Sequence, residues 1–154
     1  MKTLIIYKSI HLGSTKIIAD TLGKIMEADV VDASKFDIHN FDNYELVGFG
    51  SGIYDDSFHK SIFNIIDKVA NLENKNVFLF STAGVIYDKS HREIRDKLTS
   101  NKAIIIDEFY CKGYNKNSFL KYIGGMNKGR PNSNDLKNAE QFASGVILKQ
   151  GIPV

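Results

Sequence analysis

A single open α/β domain built on a parallel sheet is what this sequence predicts over residues 1–154. Two observations predict it. Short apolar, β-favouring runs alternate about five times with stretches of helical period. The strand-like runs are apolar throughout rather than alternating, as a parallel sheet covered on both faces requires. The length fits one domain with a buried core.

The elements follow in chain order. "TLIIY", Thr3–Tyr7, reads as the first strand, and Ile17, Ile18, Leu22 and Ile25, with Thr21, make one helical face behind it. A weaker strand lies in "ADVVDA", Ala28–Ala33, and Lys35–Glu45 reads as a short helix or a loop. Leu46–Phe49 is the third strand, followed by a helical face of Ile62, Ile65, Ile66 and Val69. Val77–Phe80 is the fourth, followed by the weaker face of Ile94 and Leu98. Ala103–Ile106 is the fifth. The stretch from Lys112 to Asn134 is rich in Gly, Asn and Lys, and connections that long are often functional. The last helix presents Leu136, Ala139, Phe142, Ala143, Val146 and Ile147. Asn132 or Ser133 caps it, with Pro131 just outside.

Bulk properties exclude several classes. The formal charge of +2 is too small to argue for nucleic acid or an acidic membrane surface. The N-terminal apolar run is only about four or five residues, short of a signal-peptide core of roughly 7–15. No segment approaches the ~20 apolar residues of a membrane span. The lone Cys111 rules out an internal disulfide and fits a reducing compartment, so the expected location is the cytoplasm. Cys111 is read as a small packing residue after the last strand. His39, His59 and His91 lack ligand spacing, so no metal site is expected. His59 and His91 stand near helix starts, where each can reach a substrate or simply sit at the surface.

In open α/β sheets, ligands bind beyond the carboxyl ends of the strands, where the strand order reverses. The first such end reads Ser9-Ile10-His11-Leu12-Gly13-Ser14-Thr15. Three hydroxyls and a glycine at a helix N-terminus suit an anion, because free N–H groups and the positive dipole end converge there. The same residues can also do no more than cap the helix. The loop is neither a Walker A loop nor a GxGxxG fingerprint. The second end, "GFGSGIYDDS" (Gly48–Ser57), has Gly50 and Gly52 for close approach to a flat ligand and Tyr54 to stack on it. The alternative is a glycine-rich turn whose Tyr packs on a neighbouring helix. The third, "STAGVIYD" (Ser81–Asp88), repeats hydroxyls, a glycine and an aromatic, Tyr87. A phosphorylated planar heterocycle is the natural joint ligand.

With these residues the chain resembles the flavodoxin family over almost its whole length. "LIIYKSIHLGST" resembles the family's phosphate loop, "LVGFGSGIYD" its second loop and "VFLFSTAG" its third. The "GSGIY", "FSTAG" and "IGGMNKGRPN" stretches resemble those of a short flavodoxin-like subgroup. The resemblance implies a flavodoxin-like three-layer sandwich, a five-stranded parallel sheet of order 2-1-3-4-5 with helices on both faces, and one non-covalent FMN. It implies that Ser9, His11, Gly13, Ser14 and Thr15 hold the phosphate. Ser51, Gly52, Ile53 and Tyr54 would line the isoalloxazine, and Ser81, Thr82, Ala83 and Gly84 would bond its polar edge. Ile86, Tyr87 or Tyr114 would cover the outer face.

Three departures stand out. The phosphate loop is one residue longer than the commonest spacing, with His11 where a Thr often sits. Tyr54 falls near a place where many flavodoxins carry a Gly whose peptide flips to stabilise the one-electron semiquinone, and a positive φ there costs a non-glycine residue more. The chain is slightly basic, whereas typical flavodoxins are acidic; Asp55, Asp56 and Asp88 are the acids near the site, and Lys112, Lys116, Lys121 and Lys128 crowd the late loop. The resemblance implies electron transfer between redox partner proteins, with no catalytic side chain because the cofactor carries the chemistry. The alternative is an FMN-dependent oxidoreductase acting directly on a small electron acceptor such as a quinone or a porphyrin-like molecule. A receiver-like signalling module is disfavoured: its Mg²⁺ needs clustered carboxylates, and Tyr7-Lys8-Ser9 and Gly50-Ser51 supply none.

Overall fold

The computed structural model describes residues 2–10, 13–69, 71–113 and 127–150. Among these residues six strands form one sheet: β1 (Thr3–Lys8), β2 (Asp29–Asp32), β3 (Leu46–Tyr54), β4 (Ser57–Phe58), β5 (Asn76–Ala83) and β6 (Ile104–Lys112). Five of them lie in the order β2-β1-β3-β5-β6, and every neighbouring pair is parallel. Counted without β4, this is the expected order 2-1-3-4-5. The extra strand β4 pairs antiparallel with the end of β3, through Ile53↔Phe58 and Tyr54↔Ser57. Asp55 and Asp56 form the turn between them with φ of 49° and 62°, as a tight two-residue hairpin requires.

Among the described residues four helices cover the sheet: α1 (Ser14–Met26), α2 (Lys60–Lys68), α3 (Arg92–Ser100) and α4 (Ser133–Lys149). One core layer joins Ile5, Phe78 and Phe80 of the sheet to Ile18 and Leu22 of α1 and Ala139 and Val146 of α4. The other joins Ile6, Phe49 and Leu79 to Ile62 and Ile66 of α2 and Ile94 and Leu98 of α3. The sheet is therefore dry on both faces, which explains its unbroken apolar runs. Among the described residues, no helix is long and apolar enough to cross a membrane.

The strands run further than their apolar stretches. β3 continues through Gly50–Tyr54, β5 through Ser81–Ala83 and β6 through Asp107–Lys112, so Cys111 lies within β6 and not after it. Polar residues remain in the sheet because neighbouring elements give them partners. Asp107 pairs with Lys149 at 2.6 Å, and Glu108 with Arg95 at 3.0 Å. The ambiguous segment before β3 forms two 3₁₀ turns, Ala33–Lys35 and Ile38–Asn43.

The buried face of α1 differs from the expected one. Ile18, Leu22 and Met26 are buried with Ala19 and Gly23, whereas Ile17 and Ile25 are exposed. Small residues set this face, because the helix lies closest to the sheet where they sit. A Cβ on Gly23 would stand 2.4 Å from Cγ2 of Val30. Asn132 is the cap of α4: its side chain accepts from the Asp135 N–H at 3.0 Å, and the Asp135 carboxylate accepts from the Asn132 N–H at 2.8 Å.

Gly145 of α4 has open space where a Cβ would go. Gly145→Ala is therefore expected to stabilise the fold by about 0.5–1 kcal/mol, read as a raised urea midpoint. A lowered midpoint would show that this helix surface is covered.

Candidate functional site

The parallel register aligns the carboxyl ends of the strands. Lys8 lies beside Ser51, Gly52 beside Thr82, and Ala83 beside Lys112. The sheet order reverses around β1 and β3, so the three hydroxyl-rich segments meet at the topological switch point.

The first segment joins the end of β1 to the N-terminus of α1. Gly13 is the N-cap of α1, in the left-handed conformation with φ 74°, and among the described residues no side chain caps the helix. The capping alternative for Ser14 and Thr15 therefore does not hold. Among the described residues nothing beyond its chain neighbours lies within 4 Å of the place where a Gly13 Cβ would stand. Ser9 Oγ is buried and has no hydrogen-bond partner among the described residues, a costly state unless a ligand supplies one. Thr15 and Thr82 share a hydrogen bond of 2.7 Å between their hydroxyls. One of the two must donate, so the other keeps a proton free to donate elsewhere. His11 lies outside the described residues.

The second segment is strand and turn rather than loop. Ser51 is fully buried, and its hydroxyl donates to the Gly52 carbonyl at 2.5 Å and accepts from the His59 N–H at 2.9 Å. Gly50 is explained by packing, since a Cβ there would meet the buried Phe80 ring at 2.0 Å; one on Gly52 would stand 2.5 Å from the Tyr54 hydroxyl. Tyr54 thus folds back over Gly52. Its ring meets His59 edge-on at 5.5 Å, and its hydroxyl is hydrogen-bonded to the Ile10 backbone; burial raises its pKa, with that bond opposing. The positive φ angles of this segment belong to Asp55 and Asp56.

The third segment walls a cleft of about 430 Å³. Ile53, Asp55 and Asp56 stand on one side and Ala83–Val85 with Tyr87 and Ser90 on the other. The volume is within the roughly 300–1,000 Å³ of ligand pockets. Ser90 Oγ, like Ser9 Oγ, Ser57 Oγ and Thr3 Oγ1, is a buried hydroxyl with no partner among the described residues. Tyr87 is half exposed at the rim, near the exposed Val85 and Ile86. Lys89 reaches across to Asp56 at 3.3 Å while lying over the Tyr87 ring. Tyr114 lies outside the described residues, as do Lys116 and Lys121.

Behind this wall is a network that sequence reading missed. Ser81 Oγ is 2.7 Å from His91 Nε2, and His91 Nδ1 is 2.9 Å from Glu108 Oε1. Arg95 holds both Glu108 oxygens at 3.0 Å and reaches Asp88 at 3.2 Å. His91 was expected to sit at the surface or over a ligand; it is fully buried. His59 is the N-cap of α2, its Nδ1 accepting from the Ser61 N–H at 3.0 Å. Cys111 is buried, its thiol pushed up to about 12 by burial first of all, so it is a packing residue rather than a reactive thiol.

Comparison with known proteins bears on the family and the fold. A family model described as a flavodoxin domain matches residues 4–125. An uncharacterized protein of Methanocaldococcus jannaschii is 46% identical over 149 residues, which cover 96% of this chain and 99% of that one. A flavodoxin from the domain Archaea superposes with a TM-score of 0.75 at 16% identity, over 97% of this chain and 98% of its own. Oxidised flavodoxin 2 from Bacillus cereus gives 0.73 at 17% identity, over 97% and 99%.

Proposed function

The chain belongs to the flavodoxin family, and on that premise we propose that it binds one FMN non-covalently and passes electrons between redox partners. The observation that carries the reading is, among the described residues, an N-terminus of α1 without a side-chain cap beside a buried hydroxyl, Ser9, without a partner. An anion satisfies both at once. A cofactor phosphate also matches the hydroxyl-rich, uncharged chemistry of Ser9, Ser14 and Thr15.

In this reading the residues divide the work. Ser9 and the backbone of Gly13–Thr15, with His11 of the same loop, bind the phosphate. The cleft between the Asp55–Asp56 turn and Ala83–Val85 takes the ring, whose polar edge is held by backbone groups there. Tyr87, and Tyr114 further along, supply aromatic cover and limit water. When bound, the flavin supplies the electron-transfer chemistry itself. No side chain of the cleft has to act as acid or base.

The test is a titration of flavin-free protein with FMN, followed by stepwise anaerobic reduction. Quenched flavin fluorescence at one FMN per chain and a discrete one-electron stage are expected. No binding would reduce the first loop to a chain turn. Binding followed by direct two-electron reduction would favour an oxidoreductase acting on a quinone or a porphyrin-like molecule.

A further inference from the structure

We propose that Asn127 is a positioning residue for the flavin, holding the segment after β5 in the one orientation that presents its backbone to the ring; this rests on the FMN reading above. Asn127 belongs to the "NKGRPN" stretch of the late connection, which the cofactor reading otherwise leaves without a role. Its side-chain nitrogen donates to the Gly84 carbonyl at 2.7 Å and reaches the Gly113 carbonyl at 3.4 Å. Both partners are acceptors only, so the amide nitrogen and not its oxygen must face them.

The consequence lies in the Gly84–Val85 peptide. In a trans peptide the C=O and N–H point in opposite directions. Fixing the Gly84 carbonyl toward Asn127 therefore aims the Val85 N–H away from it. Gly84 and Val85 both line the cleft, and a glycine there would otherwise let the peptide turn. Ordering this donor before the ligand arrives removes a cost from binding.

Asn127 is itself held firmly. Its φ is 58°, a conformation that Asn and Gly tolerate best. Its carbonyl accepts from the Arg130 N–H at 3.0 Å. The Arg130 guanidinium then pairs at 2.6 Å with Asp135, the carboxylate of the α4 capping box. The Gly113 contact ties the same amide to the end of β6. There the Gly113 N–H donates to the Ala83 carbonyl at 2.9 Å, and a Cβ on Gly113 would stand 3.0 Å from Ser14. One side chain thus links the anchor on α4 to the ends of both last strands.

Asn127→Gly and Asn127→Asp test this, because both residues accept the positive φ and neither donates. Dissociation constants for FMN and for riboflavin, the melting temperature without flavin, and the midpoint potential of bound FMN would be measured. Both flavins are expected to bind Asn127→Gly about fivefold to tenfold more weakly, the scale of one net hydrogen bond. Asn127→Asp should lose more, since a carboxylate would face carbonyl oxygens. The ratio of FMN to riboflavin affinity should not change, because the phosphate loop is untouched. The potential should fall, because a lost N–H donor weakens the electron-rich reduced ring more than the oxidised one. A purely structural role would weaken both redox forms alike and leave the potential in place. The proposal is overturned if both flavins bind Asn127→Gly within about twofold of wild type, if the potential does not move, or if both variants are unfolded without flavin. Failure of the wild-type protein to bind either flavin would remove the FMN reading itself, and the proposal with it.

Discussion

Gly50→Val is expected to destabilise the fold by about 3 kcal/mol, the upper part of the range for overpacked cores. In β3, Gly48 and Gly50 stand beside Phe78 and Phe80 of β5. Each phenyl ring leans over its glycine. A Cβ at Gly50 would lie 2.0 Å from Cζ of Phe80, and one at Gly48 2.2 Å from Cζ of Phe78. The rings have no free space to swing into. Both are fully buried, they stack on each other at 6.3 Å, and Phe142 of α4 packs on Phe78 at 6.0 Å. A close-packed interior can answer only by moving backbone or forcing rotamers. Urea unfolding would measure the loss. Shortening the partner with Phe80→Leu should make the two changes less than additive, since the residues share one space. A Gly50→Val variant within about 1 kcal/mol of wild type would show that the ring relocates freely and that the glycine serves something else.

That pair also marks a boundary of what a sequence discloses. "GFGSG" announces that a side chain is unwelcome, but not what occupies the space. The cause lies about thirty residues away in β5, and only the strand register brings it near. Ligand approach was the sequence-based explanation for Gly50; an aromatic neighbour is the structural one. Features with local causes were legible. The order of elements followed from periodicity, and the cap of α4 from the choice of Asn132 or Ser133 just ahead of the last helical face. Features with distant causes were not. The buried face of α1 turns on how closely Gly23 approaches Val30. The length of β6 turns on Lys149 and Arg95 answering Asp107 and Glu108. The sheet order came from resemblance rather than pattern, because periodicity says which segments are strands and not which are neighbours. Asn127 was one polar residue in a polar stretch, and nothing local ties it to Gly84.

His91 is the most consequential of these hidden residues, and it should make the fold lose stability in mild acid. The ring is fully buried, stacked on Tyr110 at 3.9 Å and met edge-on by Phe58 at 5.2 Å. Glu108 accepts from Nδ1–H, which leaves Nε2 as acceptor for the Ser81 hydroxyl in the neutral tautomer. Burial holds the imidazole pKa below its ordinary value; Glu108 pulls upward, Arg95 downward and Asp88 upward. Glu108 does not win because Arg95 already engages both of its oxygens.

The direction then follows from proton linkage. Below about pH 6.5 the unfolded chain takes up a proton that the folded ring refuses. Stability from this site is complete above that pH and falls as the pH drops toward the folded value, by up to about 1.4 kcal/mol per unit. His59 is shifted the same way by partial burial, so the total slope does not isolate His91. The difference between wild type and His91→Gln does. The variant should be weaker near pH 7.5, having lost ring packing. Between about pH 6.5 and pH 5.5 it should lose less stability than wild type, so that the gap between them narrows as acid is added. A gap that stays constant through that window would mean that His91 carries the same charge in the folded and unfolded chain, and that the Ser81–His91–Glu108 chain accepts a proton without strain.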